Sequence, residues 1–153
     1  MLSVYGVAPS EQLFKGTPEA EFPAFHGRPV GGAVLVDCKV SIVKLGSHAL
    51  GDQQSWVWKP ATQGYAVALE NQPLSSLKNH LRGLRTLKDE SGQNRLWPWF
   101  DPRYLKLVLR GLDGDDLVRL FGPVTLFAFA LENGVELFSQ QDGSLQVKVA
   151  SRC

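Results

Sequence analysis

The sequence VTLFAFALENGVELFSQQDGSLQVKV, which spans residues 124–149, decides the fold. It contains three runs rich in β-branched and aromatic residues, and Asn133-Gly134 and Asp142-Gly143 separate them. Asn-Gly and Asp-Gly supply the positive φ angles that tight hairpins require. The stretch therefore predicts an antiparallel meander with strands over 124–131, 135–139 and 145–149.

Three short helices are predicted before this meander. Pro73 suits the first helical position, because its missing N–H has no intrahelical partner there. Asp101 and Pro102 form an N-cap followed by a first-turn proline. A third helix follows an acidic run and ends at Gly122 and Pro123. The apolar stripe of the first helix consists of Leu74, Leu77, Leu81 and Leu84.

Further strands are predicted from β-branched and apolar runs. They lie over 33–43 and 65–69 and, as a hairpin, over 84–88 and 94–100. Trp56 and Trp58 alternate as residues on one face of a strand do. The first thirty residues are rich in proline and glycine, which predicts irregular structure with one helical turn around 18–22. Because strands and helices mix without βαβ regularity, we expect a single α+β domain (1–153) with a mixed, largely antiparallel sheet.

Composition narrows the class of protein. The chain has 153 residues, of which 44% are hydrophobic and 20% charged, and a formal net charge of +1. That balance gives no electrostatic case for nucleic-acid binding. Cys38 and Cys153 are too few for a secreted disulfide scaffold, and the N-terminus resembles no signal peptide. We expect a cytoplasmic protein that makes no contact with a membrane.

The search for catalytic chemistry finds no motif. There is no nucleophile elbow, no phosphate-binding loop and no paired spacing of metal ligands. His80 falls on the basic side of the first helix, where a solvated imidazole is expected. We therefore predict no cofactor, no metal and no enzymatic activity. The alternative is a small enzyme or ligand-binding domain whose site is assembled from the dispersed residues His26, His48 and Asp101.

An aromatic segment, WPWFDPRY over residues 97–104, stands out. Trp97 and Trp99 are two apart and would share one face of an edge strand marked by Pro98. Two interpretations stay open, a core strand under the helices or a protein-binding surface, since Trp, Tyr and Arg are enriched at interface hot spots. Arg103 in the first turn of a helix opposes the helix dipole, which indicates a specific carboxylate partner. Tyr104 is a further candidate contact.

Two segments together resemble a known family. The first is LFKGTPEAE over residues 13–21, and the second runs from Leu96 through the aromatic segment and two helices to FGPV at 121–124. In this combination and order the chain is similar to the domain-of-unknown-function family 4123 over about residues 13–124, with the C-terminal meander at 124–150. Members usually carry a further strand and helix before the first segment, and many carry a C-terminal extension.

The resemblance implies an adaptor chaperone of bacterial type VI secretion. Such a protein binds a toxic effector and assists its loading onto the valine-glycine-repeat spike protein, without catalysis. The expected partner-binding residues are Phe14, Trp97, Trp99, Arg103 and Tyr104. The expected structural residues are Asp101, Pro102, Gly122 and Pro123.

Overall fold

The computed structural model describes residues 2–10, 18–24, 39–52, 56, 64–84, 86–88 and 90–151. Within them, the first half of the chain forms β1 (Leu2–Pro9), β2 (Ala20–Pro23), β3 (Lys39–Leu45), a short 3-10 helix (Ser47–Leu50), β4 (Tyr65–Glu70) and α1 (Leu74–Gly83). The second half forms β5 (Thr86–Lys88), β6 (Asn94–Leu96), α2 (Pro102–Gly111), α3 (Gly114–Phe121), β7 (Val124–Leu131), β8 (Gly134–Gln141) and β9 (Ser144–Ser151).

Among the described residues, seven strands form one sheet in the order β2-β3-β1-β4-β7-β8-β9, and all of their pairings are antiparallel. The remaining pair, β5 and β6, makes a small separate hairpin. The structure is a single α+β domain with a large antiparallel sheet, which confirms the predicted fold class.

The C-terminal meander is confirmed, with one shift. Asp142 and Gly143 connect β8 to β9 with φ angles of 52° and 82°, as a tight primed turn requires. In the other hairpin Leu131 pairs with Gly134, so the loop residues are Glu132 and Asn133, and neither has a positive φ. The Asn-Gly signal therefore located this hairpin correctly but placed its turn one residue too late.

The N-terminal prediction is wrong. Residues 2–9 form β1, which pairs with β3 on one side and β4 on the other, although the first thirty residues were expected to be irregular. The many prolines and glycines that follow this strand hid its apolar character. The helical turn expected around 18–22 is strand β2, whose Pro23 is tolerated because β2 lies at the edge of the sheet.

Several other boundaries also differ. The strand predicted over 33–43 is observed as β3 at 39–45, and residues 33–38 lie outside the described part of the chain. Trp56 lies in a bend rather than a strand, and Trp58, Cys38 and Cys153 are outside the described residues. Pro73 is the N-cap of α1, one position before the expected first helical residue.

The sheet has two chemically different faces. On β4, Tyr65, Val67 and Leu69 point into the core that contains the helices. The alternate residues Ala66 and Ala68 join a second cluster on the opposite face. This second cluster includes Trp56, whose indole Nε1 donates to the Ala49 carbonyl at 3.1 Å. Small side chains on this face let the 3-10 helix and Trp56 lie close to the sheet.

The three helices bury their apolar stripes on the first face. The fully or nearly fully buried helix residues are Leu77, Leu81, Leu105, Leu109, Leu117, Leu120 and Phe121. These are positions that the periodicity predicted as apolar faces. The helices therefore leave their polar sides, and above all the outer side of α2, as the surface of this layer.

A close backbone contact joins the β8–β9 turn to the start of α3. The Gly114 amide donates to the Gly143 carbonyl at 2.9 Å, and a Cβ on Gly143 would lie 2.6 Å from the Gly114 Cα. Gly143→Ala should therefore lower the free energy of unfolding by about 3 kcal/mol, from positive-φ strain and from the clash together.

Gly92→Ala is the matched control for this variant. Gly92 has a similar φ of 85°, but a Cβ there would meet nothing within 4 Å. It should cost about 1 kcal/mol, from the strain only. Urea unfolding followed by circular dichroism measures both values, and equal costs would contradict a steric contact between the hairpin and α3.

Candidate functional site

The two tryptophans of the aromatic segment are core residues, which agrees with one of the two interpretations left open and corrects their naming as partner-binding residues. Trp99 is fully buried and Trp97 nearly so. Both follow β6 in a tight turn, where the Trp99 amide donates to the Trp97 carbonyl at 2.8 Å, so they do not share the face of an edge strand. Their indole N–H groups are satisfied internally, by the carbonyls of Leu84 for Trp97 and Ala24 for Trp99.

Trp99 ties the start of α2 to distant strands. Its ring stacks on Phe22 of β2 with centroids 6.2 Å apart and an interplanar angle of 7°, and Phe100 meets it edge-on at 5.8 Å. The Tyr65 hydroxyl donates to the Trp99 carbonyl at 3.3 Å, and complete burial raises the pKa of Tyr65, so it stays a neutral donor. This packing fixes where α2 begins.

The junction between the Trp turn and α2 is built as the sequence predicts. Asp101 Oδ1 accepts from the Arg103 amide at 2.9 Å, which caps the helix, and Pro102 is its first residue. The Arg103 side chain returns to the same carboxylate through Nε at 3.1 Å and Nη2 at 2.7 Å. These hydrogen bonds and the Asp101 charge raise the pKa of Arg103. The predicted carboxylate partner of Arg103 is thus the capping residue itself.

The outer face of α2 exposes large side chains. Tyr104 is 49% exposed and Leu107 is 69% exposed, the highest value among the exposed large hydrophobic side chains of the described residues. The Arg103 side chain is 66% exposed beside them. Of the predicted aromatic contacts that the structure describes, Trp97, Trp99 and Tyr104, it is therefore Tyr104 that lies at the surface.

Two further cations of α2 anchor the helix to the meander. Lys106 Nζ lies 2.7 Å from Glu136 Oε1, and Arg110 Nη2 lies 3.1 Å from Glu136 Oε2. The Lys106 contact is close but poorly aligned, so Oε1 has no hydrogen bond of regular geometry. The same two cations lie over the rings of Phe129 and Phe138, at 5.7 and 5.0 Å from the centroids.

A cavity of about 260 Å³ opens beside this face of α2. Its walls are lined by Pro102, Arg103, Lys106, Leu107, Arg110, Phe129 and Ala130. The lining combines an apolar floor from β7 with cationic side chains from the helix. We refer to Arg103, Tyr104, Leu107 and Arg110 together with this cavity as the α2 surface.

Sequence reasoning missed Lys106, Leu107 and Arg110. A signal for them exists, because Leu107 falls off the buried stripe of Leu105 and Leu109 and lies between cations spaced three and four residues apart. Glu136 could not be found in this way, since only the tertiary packing of α2 on β8 brings it to the helix.

His80 is not solvated as expected. It is half-buried, and its Nε2 lies 2.7 Å from the Leu120 carbonyl of α3. Its ring also lies over Gly122, where a Cβ would come within 2.5 Å of the imidazole. Gly122 ends α3 with a φ of 52°, so the predicted helix stop is confirmed and also makes room for His80.

Among the described residues, His48 and Asp101 of the alternative dispersed site are not brought together. His48 belongs to the 3-10 helix, whose Ala49 packs on the alanine-rich face of the sheet, whereas Asp101 starts α2 on the opposite face. His26 and Phe14 lie outside the described residues. In the described ranges, no three His, Cys, Asp or Glu side chains gather as metal ligands would.

None of the helices in the described part of the chain has the length and apolar character needed to cross a membrane. No family model, curated protein or solved structure matches the chain significantly. The similarity to the domain-of-unknown-function family 4123 therefore stays a prediction from its motifs.

The Asp101 cap can be tested by substitution. Asp101→Ala should lower the free energy of unfolding by about 1 kcal/mol, because the first-turn amide loses its acceptor. Asp101→Asn is the control, since asparagine also caps helices but removes the charge that faces Arg103. In thermal or urea unfolding, the asparagine variant should have a free energy of unfolding close to that of the wild type. An equal loss of stability in the alanine and asparagine variants would contradict a capping role.

His80 should make stability depend on pH. Burial lowers the pKa of His80, opposed by its hydrogen bond to Leu120, so the unfolded chain binds a proton at a higher pH than the folded chain. The free energy of unfolding should then fall as the pH drops below about 6.5. His80→Gln, which cannot be protonated, should flatten this acid limb in urea unfolding series, and an unchanged slope would contradict the assignment.

Proposed function

We propose that this protein is a non-catalytic adaptor that binds a type VI secretion effector in the cytoplasm and assists its loading onto the valine-glycine-repeat spike protein. The observation that carries the proposal is the α2 surface, which presents Tyr104 and Leu107 between two exposed arginines. The motif resemblance supplies the identity of the partners.

The composition of the α2 surface supports a protein partner. Tyrosine and arginine are enriched among the residues that contribute most to binding energy at interfaces. A largely exposed leucine beside a partly apolar cavity gives an apolar side chain of the partner a surface against which it can be buried. Because the chain has a net charge of only +1, long-range attraction is weak, and contact at such a patch has to supply most of the affinity.

The rigidity of α2 also supports this role. Its start is fixed by the Asp101 cap and the buried Trp99, and its last turns are held by Glu136. A helix that is already fixed presents its side chains without a large ordering cost on association. In this proposal, the buried Trp97 and Trp99 hold α2 in place, while the exposed Tyr104 and Leu107 contact the partner protein.

Co-purification with candidate effector and spike proteins from the same bacterium tests the proposal. Tyr104→Ala combined with Leu107→Ala should abolish recovery of the partner, because both exposed apolar groups are lost, while the circular dichroism spectrum stays unchanged.

Val149→Ala is the matched control, since Val149 is an exposed apolar side chain on β9 rather than on α2. It should leave recovery unchanged. Recovery of the partner by the double variant at the wild-type level would contradict binding through α2, and absence of any partner from the wild-type preparation would contradict the adaptor role.

A further inference from the structure

The arrangement of charges on the α2 surface indicates which kind of protein segment it binds. Its three cations, Arg103, Lys106 and Arg110, are matched by the two carboxylates Asp101 and Glu136. The cations and the carboxylates lie at different depths, however. The Arg103 and Arg110 side chains are 66% and 50% exposed, whereas those of Asp101 and Glu136 are 15% and 12% exposed. An approaching molecule therefore meets positive charge first.

The sequence of α2 reinforces this polarity. The helix reads PRYLKLVLRG and contains no acidic residue. Arg103 and Arg110 are about two helical turns apart, and Leu107 lies between them on the same side. The outer side of α2 is thus a row of cation, leucine and cation beside a cavity of about 260 Å³.

We infer that the α2 surface binds an acidic amphipathic helix of the partner protein, whose carboxylates pair with Arg103 and Arg110 and whose apolar side chain packs against Leu107. Charge complementarity selects the acidic partner. The spacing of the two arginines selects a helix, because carboxylates two turns apart on one helix face match it. The inference rests on the proposed function for the identity of the partner as a protein.

Glu136 provides an internal example of this recognition. Its carboxylate lies between Lys106 and Arg110 and uses one Nη of the arginine. Arg103 likewise directs Nε and Nη2 to Asp101. A guanidinium carries five N–H donors, so both arginines keep donors beyond these contacts for a second carboxylate. Binding a partner carboxylate therefore does not require either internal ion pair to break.

The test uses the purified full chain and a synthetic helix-forming peptide. The peptide carries two glutamates about two helical turns apart with a leucine between them. Fluorescence anisotropy should show saturable binding that weakens when salt is raised from about 50 mM to about 500 mM, because the exposed ion pairs are screened. Arg103→Gln combined with Arg110→Gln should weaken binding about tenfold.

Three controls make the result specific. Arg119→Gln removes an exposed arginine of α3 that pairs with Asp116, and it should leave peptide affinity unchanged. Leu107→Ala, which keeps all cations, should also weaken binding, since the apolar contact is lost. A peptide with lysines in place of the glutamates should not bind.

Several outcomes would overturn the inference: no binding of the acidic peptide, equal affinity for the double glutamine variant, or equal binding of the lysine peptide. Equal or tighter binding of a single-stranded oligonucleotide would overturn it too, since the surface would then recognise phosphate rather than an acidic helix. These results are separate from the co-purification result. A partner could co-purify in a way that depends on Tyr104 and Leu107 but is unaffected by the arginine substitutions. That result would support the adaptor role and contradict binding of an acidic helix.

Discussion

The buried indole of Trp99 is the interaction on which the arrangement of this domain depends. The indole N–H donates to the Ala24 carbonyl, and the ring stacks on Phe22 at the edge of the sheet. The backbone carbonyl of Trp99 accepts a hydrogen bond from the Tyr65 hydroxyl. Trp99, through its side chain and its backbone carbonyl, thus joins β2, β4 and the start of α2. These contacts fix the position at which α2 begins. The interior of the domain therefore determines which side chains of α2 face the solvent.

The α2 surface follows from that constraint. Once Asp101 caps the helix, one side of it turns Leu105 and Leu109 into the core. Geometry then places Lys106 and Arg110 above the rings of Phe129 and Phe138, where Glu136 neutralises part of their charge. The remaining side presents Tyr104 and Leu107 to solvent. The buried stripe and the proposed binding surface therefore occupy opposite sides of one ten-residue helix.

Local signals predicted the parts of the fold that local chemistry determines. The Asp142-Gly143 turn, the Asp101 cap and the end of α3 at Gly122 each depend on residues within a few positions, and the structure confirms them. β1 was missed because a central strand is stabilised by partners far along the chain, and its own sequence contains Gly6 and precedes many turn formers. The eight residues of β1 alone do not indicate how this strand pairs with β3 and β4.

In the candidate site too, some features could be predicted from neighbouring residues, and others depend on the tertiary fold. The unusual composition of the aromatic segment singled out Arg103 and Tyr104, whose side chains are exposed, and Arg103 has its predicted carboxylate partner. Trp97 and Trp99 were also named as partner-binding residues while a core position stayed open, since composition does not distinguish an interface tryptophan from a core tryptophan whose N–H donates to a carbonyl. Those carbonyls belong to Leu84 and Ala24, and only the folded chain brings them near.

The central position of β4 has a consequence for how the chain reaches this structure. Ala66 lies opposite Gly6 on one side and Ala128 on the other, so a single strand joins segments that are about sixty residues away in both directions. The β7–β8–β9 meander, by contrast, forms from neighbouring residues. The entropy of closing two long loops has to be overcome before β4 is paired, while the meander needs only short ones. Such non-local pairing raises contact order, so we expect the whole sheet to fold more slowly than the meander alone would.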